Sequence, residues 1–144
     1  MMMKKVTVIG GGNAGKTLAA DAALAGHEVC LFEMPKYGKS IESIKKSKKI
    51  KISGNQKNAK NFFRDGVATL DMVTCDVVEA VKNTDIIVIS VRATGYEEVF
   101  EMLVPVIEDG QVISIYPDNF GSLIFRKKMR EMGCKKDVIV GGWS

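Results

Sequence analysis

Residues Val6 to Thr17 read V-T-V-I-G-G-G-N-A-G-K-T, an apolar run, a glycine-rich loop and the start of a helical stretch in immediate succession. A short strand that ends in glycines and feeds a helix is the opening of a βαβ unit. Its loop faces an anion, because a helix N-terminus presents unpaired N–H groups and the positive end of a dipole. Two phosphate-binding patterns fit the same letters. Gly10, Gly12 and Gly15 satisfy G-x-G-x-x-G, while Gly10, Gly15, Lys16 and Thr17 satisfy G-x-x-x-x-G-K-[ST]. The first belongs to dinucleotide-binding sheets and the second to P-loops that cradle nucleoside triphosphates.

The residues that separate the two lie downstream. A dinucleotide-binding unit places an acid at the end of its second strand, about 20 residues on, to accept hydrogen bonds from the adenosine ribose. Glu33 closes the apolar run Val29-Cys30-Leu31-Phe32 at that distance. A P-loop instead needs a Walker B acid after a later apolar strand to hold Mg²⁺. Ile86-Ile87-Val88-Ile89 has its acid, Asp85, at the wrong end, and Val112-Ile113-Ser114-Ile115 runs into Tyr116-Pro117. The dinucleotide pattern is therefore preferred. In it Gly10 permits the turn, Gly12 lets backbone approach a pyrophosphate and Gly15 lets the helix lie close to the strand. Asn13 and Ala14 offer backbone N–H groups at the helix start, and Lys16 and Thr17 become ordinary first-turn residues.

Apolar periodicity extends the pattern along the chain. Strands are expected at Val6 to Ile9, Glu28 to Glu33, Asp85 to Val91, Gln111 to Tyr116 and Asp137 to Val140. Helices are expected at Ala14 to Ala25, with Leu18, Ala22 and Ala25 facing the sheet, at Tyr96 to Leu103, and at Gly121 to Met132. Ser40 to Lys48 reads as a short helix with Ile41 and Ile44 inward. Ile50, Ile52 and the later Val67, Ala68 and Leu70 read as short strands around a Gly54-Asn55 turn. Thr74 is placed as the cap of a helix through Lys82 that turns Val77, Val78 and Val81 inward, with Asp76 near its positive end.

Alternating continuous apolar strands and helices give an α/β fold, a doubly wound parallel sheet with helices on both faces and strand order 3-2-1-4-5-6. Ligands bind such sheets beyond the carboxyl ends of the strands. That rule gathers the candidate cofactor-binding residues: Gly10, Gly12, Asn13, Ala14, Gly15, Glu33, Met34, Val91, Arg92, Ala93 and Asn119. Glu33 favours NAD, since its carboxylate repels a 2′-phosphate. Lys36 and Lys39 soften that repulsion and keep NADP in play.

Composition narrows the class. At 144 residues and 46% apolar, the chain fits one dinucleotide-binding domain over 1–144. No apolar run approaches the roughly 20 residues that span a bilayer, and Lys4-Lys5 leads straight into a strand rather than a signal-peptide core. A cytoplasmic protein without a membrane partner is expected. Cys30, Cys75 and Cys134 form neither a zinc pattern nor a disulfide framework and read as reduced thiols. Lys45, Lys46, Lys48, Lys49, Lys51, Lys57 and Lys60 share a span without an acid. The span lacks interleaved aromatics or arginines, so it reads as a solvated face and no nucleic-acid partner is expected. Arg126-Lys127-Lys128 reads as the exposed face of its helix.

Together these segments resemble the N-terminal NAD-binding domain of the octopine/nopaline (opine) dehydrogenase family, within the 6-phosphogluconate-dehydrogenase-like Rossmann group. The likeness rests on V-I-G-G-G-N-A-G, K-I-S-G, V-T-C-D-V-V-E-A-V-K-N-T-D-I-I-V-I-S-V and L-V-P-V-I-E-D-G-Q-V-I-S-I, in that order. It implies an oxidoreductase that uses NAD(P)H to reduce an imine formed between a keto acid and an amino acid. Where that family commonly shows V-P-A followed shortly by His, this chain has Val91-Arg92-Ala93 and Tyr96. Family members also continue into a helical substrate domain that supplies the catalytic acid/base, whereas this sequence ends at Gly141-Gly142-Trp143-Ser144.

The residues carry the same implication by themselves. Reduction of a carbonyl or imine needs a proton donor, most often His. The single histidine, His27, precedes the second strand, at the sheet edge opposite the cofactor. Tyr96 and Tyr116 lie nearer the right edge without an activating neighbour. No catalytic residue is assigned, and the chain is expected to bind cofactor without turning over alone. A separate substrate-domain chain or a homo-oligomer is the expected partner, with a nucleotide-sensing regulatory module and a P-loop NTPase as the competing function classes.

Overall fold

The computed structural model describes residues 2–53 and 64–143. Six strands form one parallel sheet: β1 (Lys5–Ile9), β2 (Glu28–Phe32), β5 (Met72–Thr74), β6 (Ile86–Ile89), β7 (Val112–Ile115) and β8 (Ile139–Gly142). Their spatial order is β5-β2-β1-β6-β7-β8, which is 3-2-1-4-5-6 when only the sheet strands are counted. Strand β1 pairs in register with β2 on one side and β6 on the other, Val8 standing between Leu31 and Val88. The chain reverses its winding at this junction, and an open α/β sheet forms its ligand crevice there.

Alternation along each strand sends side chains to opposite faces. Val6, Val8, Val29 and Leu31 pack with Ala19 of α1 (Asn13–Leu24) and Ile44 of α2 (Glu42–Ser47). Ile9, Phe32, Ile87, Ile89, Ile113 and Ile115 face the other layer. That layer is built by α3 (Val77–Val81), α4 (Tyr96–Leu103) and α5 (Gly121–Glu131), where Phe100 meets Phe125 edge-on at 4.9 Å. Thr7, the buried polar residue of β1, donates to the Ala80 carbonyl at 2.7 Å. The buried residues of α1 are Gly15, Ala19 and Ala20; of the expected set Ala22 packs partly buried against the same core, and Leu18 and Ala25 are also only partly buried.

Three expectations are corrected by long-range pairing. The third strand of the sheet is Met72–Thr74, which the periodicity does not mark as a strand. The stretch Gly66–Thr69 (β4) instead pairs antiparallel with Lys49–Ile52 (β3) in a separate two-stranded sheet. The Gly54-Asn55 turn lies outside the described residues. Second, the cap of α3 is Asp76, which accepts from Val78 N and Glu79 N, leaving Val78 exposed, while Thr74 belongs to β5. Third, Lys128 is only 6% exposed, and its ammonium reaches Glu97 and, at 3.2 Å, Glu101 on α4. A lysine stem covers apolar surface while its head pairs at the edge, so a basic run does not imply three exposed residues.

Cys30 is buried under β1 and α3, and burial pushes its thiol from 9.0 to about 12, with Lys5 pulling weakly the other way. The folded state holds this proton more tightly than the unfolded one. The stabilisation is therefore complete below pH 9 and lost as pH rises toward 12, at roughly 1.4 kcal/mol per pH unit. Urea melts of the protein and of Cys30→Ala across this window are expected to show a steeper alkaline decline for the former. Parallel declines would refute the assignment.

Candidate cofactor cleft

The carboxyl ends of β1, β2 and β6 open into a cleft of about 470 Å³. One wall is Gly10, Gly11 and Gly12; a second is Glu33, Met34, Tyr37 and Ser40; a third is Ser90, Val91, Arg92, Thr94 and Gly95 with Glu98 and Val99 of α4. The loop is drawn into the sheet by backbone bonds. Gly10 N donates to the Phe32 carbonyl at 2.9 Å, and Ser90 N donates to the Ile9 carbonyl at 2.8 Å.

The glycines divide by what surrounds them. Gly10 has φ 118°, and a Cβ there would lie 2.2 Å from the Ser90 carbonyl oxygen. A Cβ on Gly15 would lie 1.8 Å from the Gly10 carbonyl oxygen. Gly12 lines the cleft, and a Cβ there would meet nothing within 4 Å. It is also the N-cap of α1, which has no side-chain cap and no acid in its first turn. Lys16 N closes the first helical bond onto the Gly12 carbonyl at 2.9 Å, so the N–H groups of Asn13, Ala14 and Gly15 lie ahead of the intrahelical ladder.

Glu33 occupies the expected position, but its carboxylate turns into the protein. Oε2 accepts from Gly11 N at 2.7 Å, Oε1 accepts from Met34 N at 2.8 Å, and the residue is 8% exposed. A carboxylate has about four lone-pair sites, so two N–H bonds leave capacity for ribose hydroxyls while fixing where the charge sits. At the rim, Lys36 Nζ meets Glu98 Oε2 at 2.5 Å and lies 5.2 Å from the Tyr37 ring centroid. The hydrogen bond to Glu98 holds the Lys36 ammonium above its ordinary value.

Of the residues singled out from sequence, Gly10, Gly12, Glu33, Met34, Val91 and Arg92 line the cleft. Asn13, Ala14 and Gly15 stand at the adjoining helix start, with Gly15 buried behind the loop. Ala93 begins the short 3-10 turn Ala93–Gly95 and Asn119 sits at φ 39° before α5; neither lines the cleft. Sequence reasoning did not single out Gly11, Tyr37, Ser40, Ser90, Gly95, Glu98 and Val99, whereas Thr94, in the loop expected after the β6 strand, does line the cleft. Gly11 was legible as the central letter of the loop, and Ser90 as the last residue before a strand-end turn. Glu98 and Val99 carry no local signal, since only the packing of α4 brings them over the glycines.

The remaining polar candidates are engaged elsewhere. His27 Nδ1 accepts from Lys4 N at 3.1 Å, beside the start of β1 and the opposite edge of the sheet. The Tyr96 hydroxyl donates to the Pro117 carbonyl, with the Asp118 carbonyl 3.0 Å away, and burial followed by the Asp118 charge raises its pKa. Thr17 Oγ1 donates to the Asn13 carbonyl at 2.8 Å, and Asp85 Oδ2 accepts from Lys5 N at 2.8 Å at the far end of the sheet. The hydroxyl and the acid that a P-loop would bring together are thus separated.

Comparison with known proteins places this geometry among dehydrogenases. Residues 5–116 match the family model described as the NAD-dependent glycerol-3-phosphate dehydrogenase N-terminus. An opine dehydrogenase of Arthrobacter sp. (strain 1C) is 31% identical over 137 residues, covering 94% of this chain and 36% of that protein. The mitochondrial hydroxyacyl-coenzyme A dehydrogenase of Rattus norvegicus is 37% identical over 94 residues, 61% of this chain and 30% of the relative. Among solved structures, octopine dehydrogenase with NADH and pyruvate aligns at TM-score 0.77 and 22% identity, over 97% of this chain and 35% of that one. Yersinopine dehydrogenase with NADP⁺ bound aligns at TM-score 0.73 and 18% identity, over 96% of this chain and 34% of that one. The chain thus spans about a third of the length of these relatives. No helix among the described residues is long and apolar enough to cross a membrane.

Proposed function

This chain belongs to the family of the NAD-dependent glycerol-3-phosphate dehydrogenase N-terminus, and from that premise we propose how its cleft holds the dinucleotide and what the larger enzyme does with it. It is an NAD(P)-binding dehydrogenase N-terminal domain similar to those of opine dehydrogenases. Gly12 and the amides of Asn13, Ala14 and Gly15 take the pyrophosphate. Glu33 takes the adenosine ribose, Met34 contributes an apolar wall beside it, and Val91 and Arg92 line the approach from β6, with Ala93 just outside the lining. Asn119, outside the cleft, takes part only through a shift of its loop. The observation that carries this reading is the uncapped α1 N-terminus beside the open Cβ direction of Gly12, a cradle that packing leaves unfilled.

The nicotinamide cofactor, when bound, supplies or accepts the hydride. This chain's own contribution is to bind and orient. Its amides meet anionic oxygens without reorganisation, and the backbone bonds on Glu33 fix an acceptor for the ribose. Proton transfer falls to a group outside these residues, because the Tyr96 proton is committed to a backbone carbonyl and His27 lies at the opposite edge. The complete reaction is reduction of an imine or keto acid, as the likeness to opine dehydrogenase suggests, with a helical substrate-binding domain or partner chain supplying the acid. A cytoplasmic setting accords with the three free thiols.

Calorimetric titration of the chain with NADH, NADPH and Mg-ATP tests the reading. Saturable binding of NADH and none of Mg-ATP is the expected result. Selective Mg-ATP binding, or none of any nucleotide, would overturn it. Lys16→Ala should bind NADH within about twofold of the parent, since a solvated first-turn side chain contributes little; a loss of tenfold or more would return Lys16 to a phosphate site.

A further inference from the structure

The rim of the cleft holds one ion pair that joins two distant elements. Lys36 belongs to the 3-10 segment Pro35–Ile41 that follows β2, three residues beyond the ribose acid Glu33, and Glu98 lies in the first turn of α4. Lys36 Nζ and Glu98 Oε2 are 2.5 Å apart across 62 residues of sequence, each side chain about half exposed at 49% and 52%. Inside the rim, the Glu33 carboxylate is held by two backbone N–H groups and cannot swing away from a ligand charge.

A 2′-phosphate beside such an immobile carboxylate is tolerated only when a cation stands next to it, which is how such sheets accommodate NADP. Lys36 is the cation whose position in the chain suits that task. Lys36 and Lys39 are both exposed and neither lines the cleft, but Lys36 is tied to its rim through Glu98 and the Tyr37 ring, which do line it, while Arg92 lines it from the β6 side. We propose that Glu98 is a specificity-determining residue: by pairing with Lys36 it withholds the cation that would otherwise neutralise a 2′-phosphate at Glu33, and so biases the cleft toward NADH. Discrimination is divided between a fixed negative charge and a sequestered positive one, on two different elements. The assignment rests on the dinucleotide reading of the cleft given above.

Titration of the 144-residue chain, Glu98→Gln, Lys36→Ala and the double variant with NADH and with NADPH decides it. Release of an exposed pair is worth up to about fivefold, the equivalent of about 1 kcal/mol. Glu98→Gln is expected to shift the affinity ratio toward NADPH by about that factor. The shift should vanish in Lys36→Ala/Glu98→Gln, because no lysine is left to release. An unchanged ratio in Glu98→Gln overturns the assignment. So does an equal gain in the double variant, which would make Glu98 a direct repulsive charge. Failure of the parent chain to bind either nucleotide would instead overturn the underlying dinucleotide reading, and the assignment with it.

Discussion

Gly15→Ala is expected to lower the stability of this protein by about 3 kcal/mol, at the upper end of overpacking effects, and Gly12→Ala to leave it folded while weakening NADH binding at least tenfold. The two positions lie three residues apart, one at the N-cap of α1 and one in its first turn, and their neighbours decide the difference. A Cβ on Gly15 falls 1.8 Å from the Gly10 carbonyl oxygen and 2.9 Å from its carbon. Both atoms are backbone, so relief requires the helix to move off the strand. Gly12 has no heavy atom within 4 Å of its added Cβ, and a methyl there enters the space in which the pyrophosphate would lie. Alanine is also a poorer N-cap than glycine, which adds roughly 0.5 kcal/mol. Thermal melts with calorimetric NADH titration of both variants separate the effects. For a domain of this size 3 kcal/mol corresponds to a fall in Tm of about 10 °C. Equal destabilisation by the two substitutions would remove the distinction between a packing glycine and a binding glycine.

The second large effect is expected at Glu33. Removing its side chain leaves Gly11 N–H buried without its acceptor, and a hydrogen bond to a charged group is worth about 1.5–3 kcal/mol. Glu33→Ala should therefore lose about 2 kcal/mol of stability. It should also lose about two orders of magnitude in NADH affinity, roughly 2.7 kcal/mol, because ribose acceptor and loop brace disappear together. Glu33→Gln keeps one acceptor oxygen but presents an NH₂ group to the other backbone amide, and should fall between the two. Urea denaturation of the ligand-free variants isolates the brace. If Glu33→Ala is as stable as the parent, the carboxylate is a ribose ligand alone.

The loop between β1 and α1 was legible because each requirement is local. A turn at φ 118° selects Gly10, and contact of α1 with the loop selects Gly15. Glu33 was legible for the same reason, as the acid that closes an apolar strand. The bounds of α4 matched its apolar spacing, Tyr96–Leu103. The strand order followed from alternating strands and helices, since right-handed crossovers leave few other ways to cover both faces of a parallel sheet.

Other features depended on partners far away in sequence. Met72–Thr74 is too short to show a period, and it is a strand only because β2 offers it an open edge. Val78 reads as apolar helix face until Asp76 fixes where that helix begins. Lys128 reads as one of three exposed cations until α4 brings Glu97 and Glu101 to it.

The sequence by itself determined the doubly wound sheet, the glycine loop and the acid beside it, because steric demand at a glycine and apolar period along a strand act between near neighbours. Only the tertiary structure decided that Glu33 braces the loop through Gly11, that Tyr96 spends its proton on a backbone carbonyl, and that Glu98 reaches Lys36. The physical reason is that hydrogen bonds and ion pairs act over a few ångströms, and which distant groups come that close is settled by packing rather than by spacing along the chain.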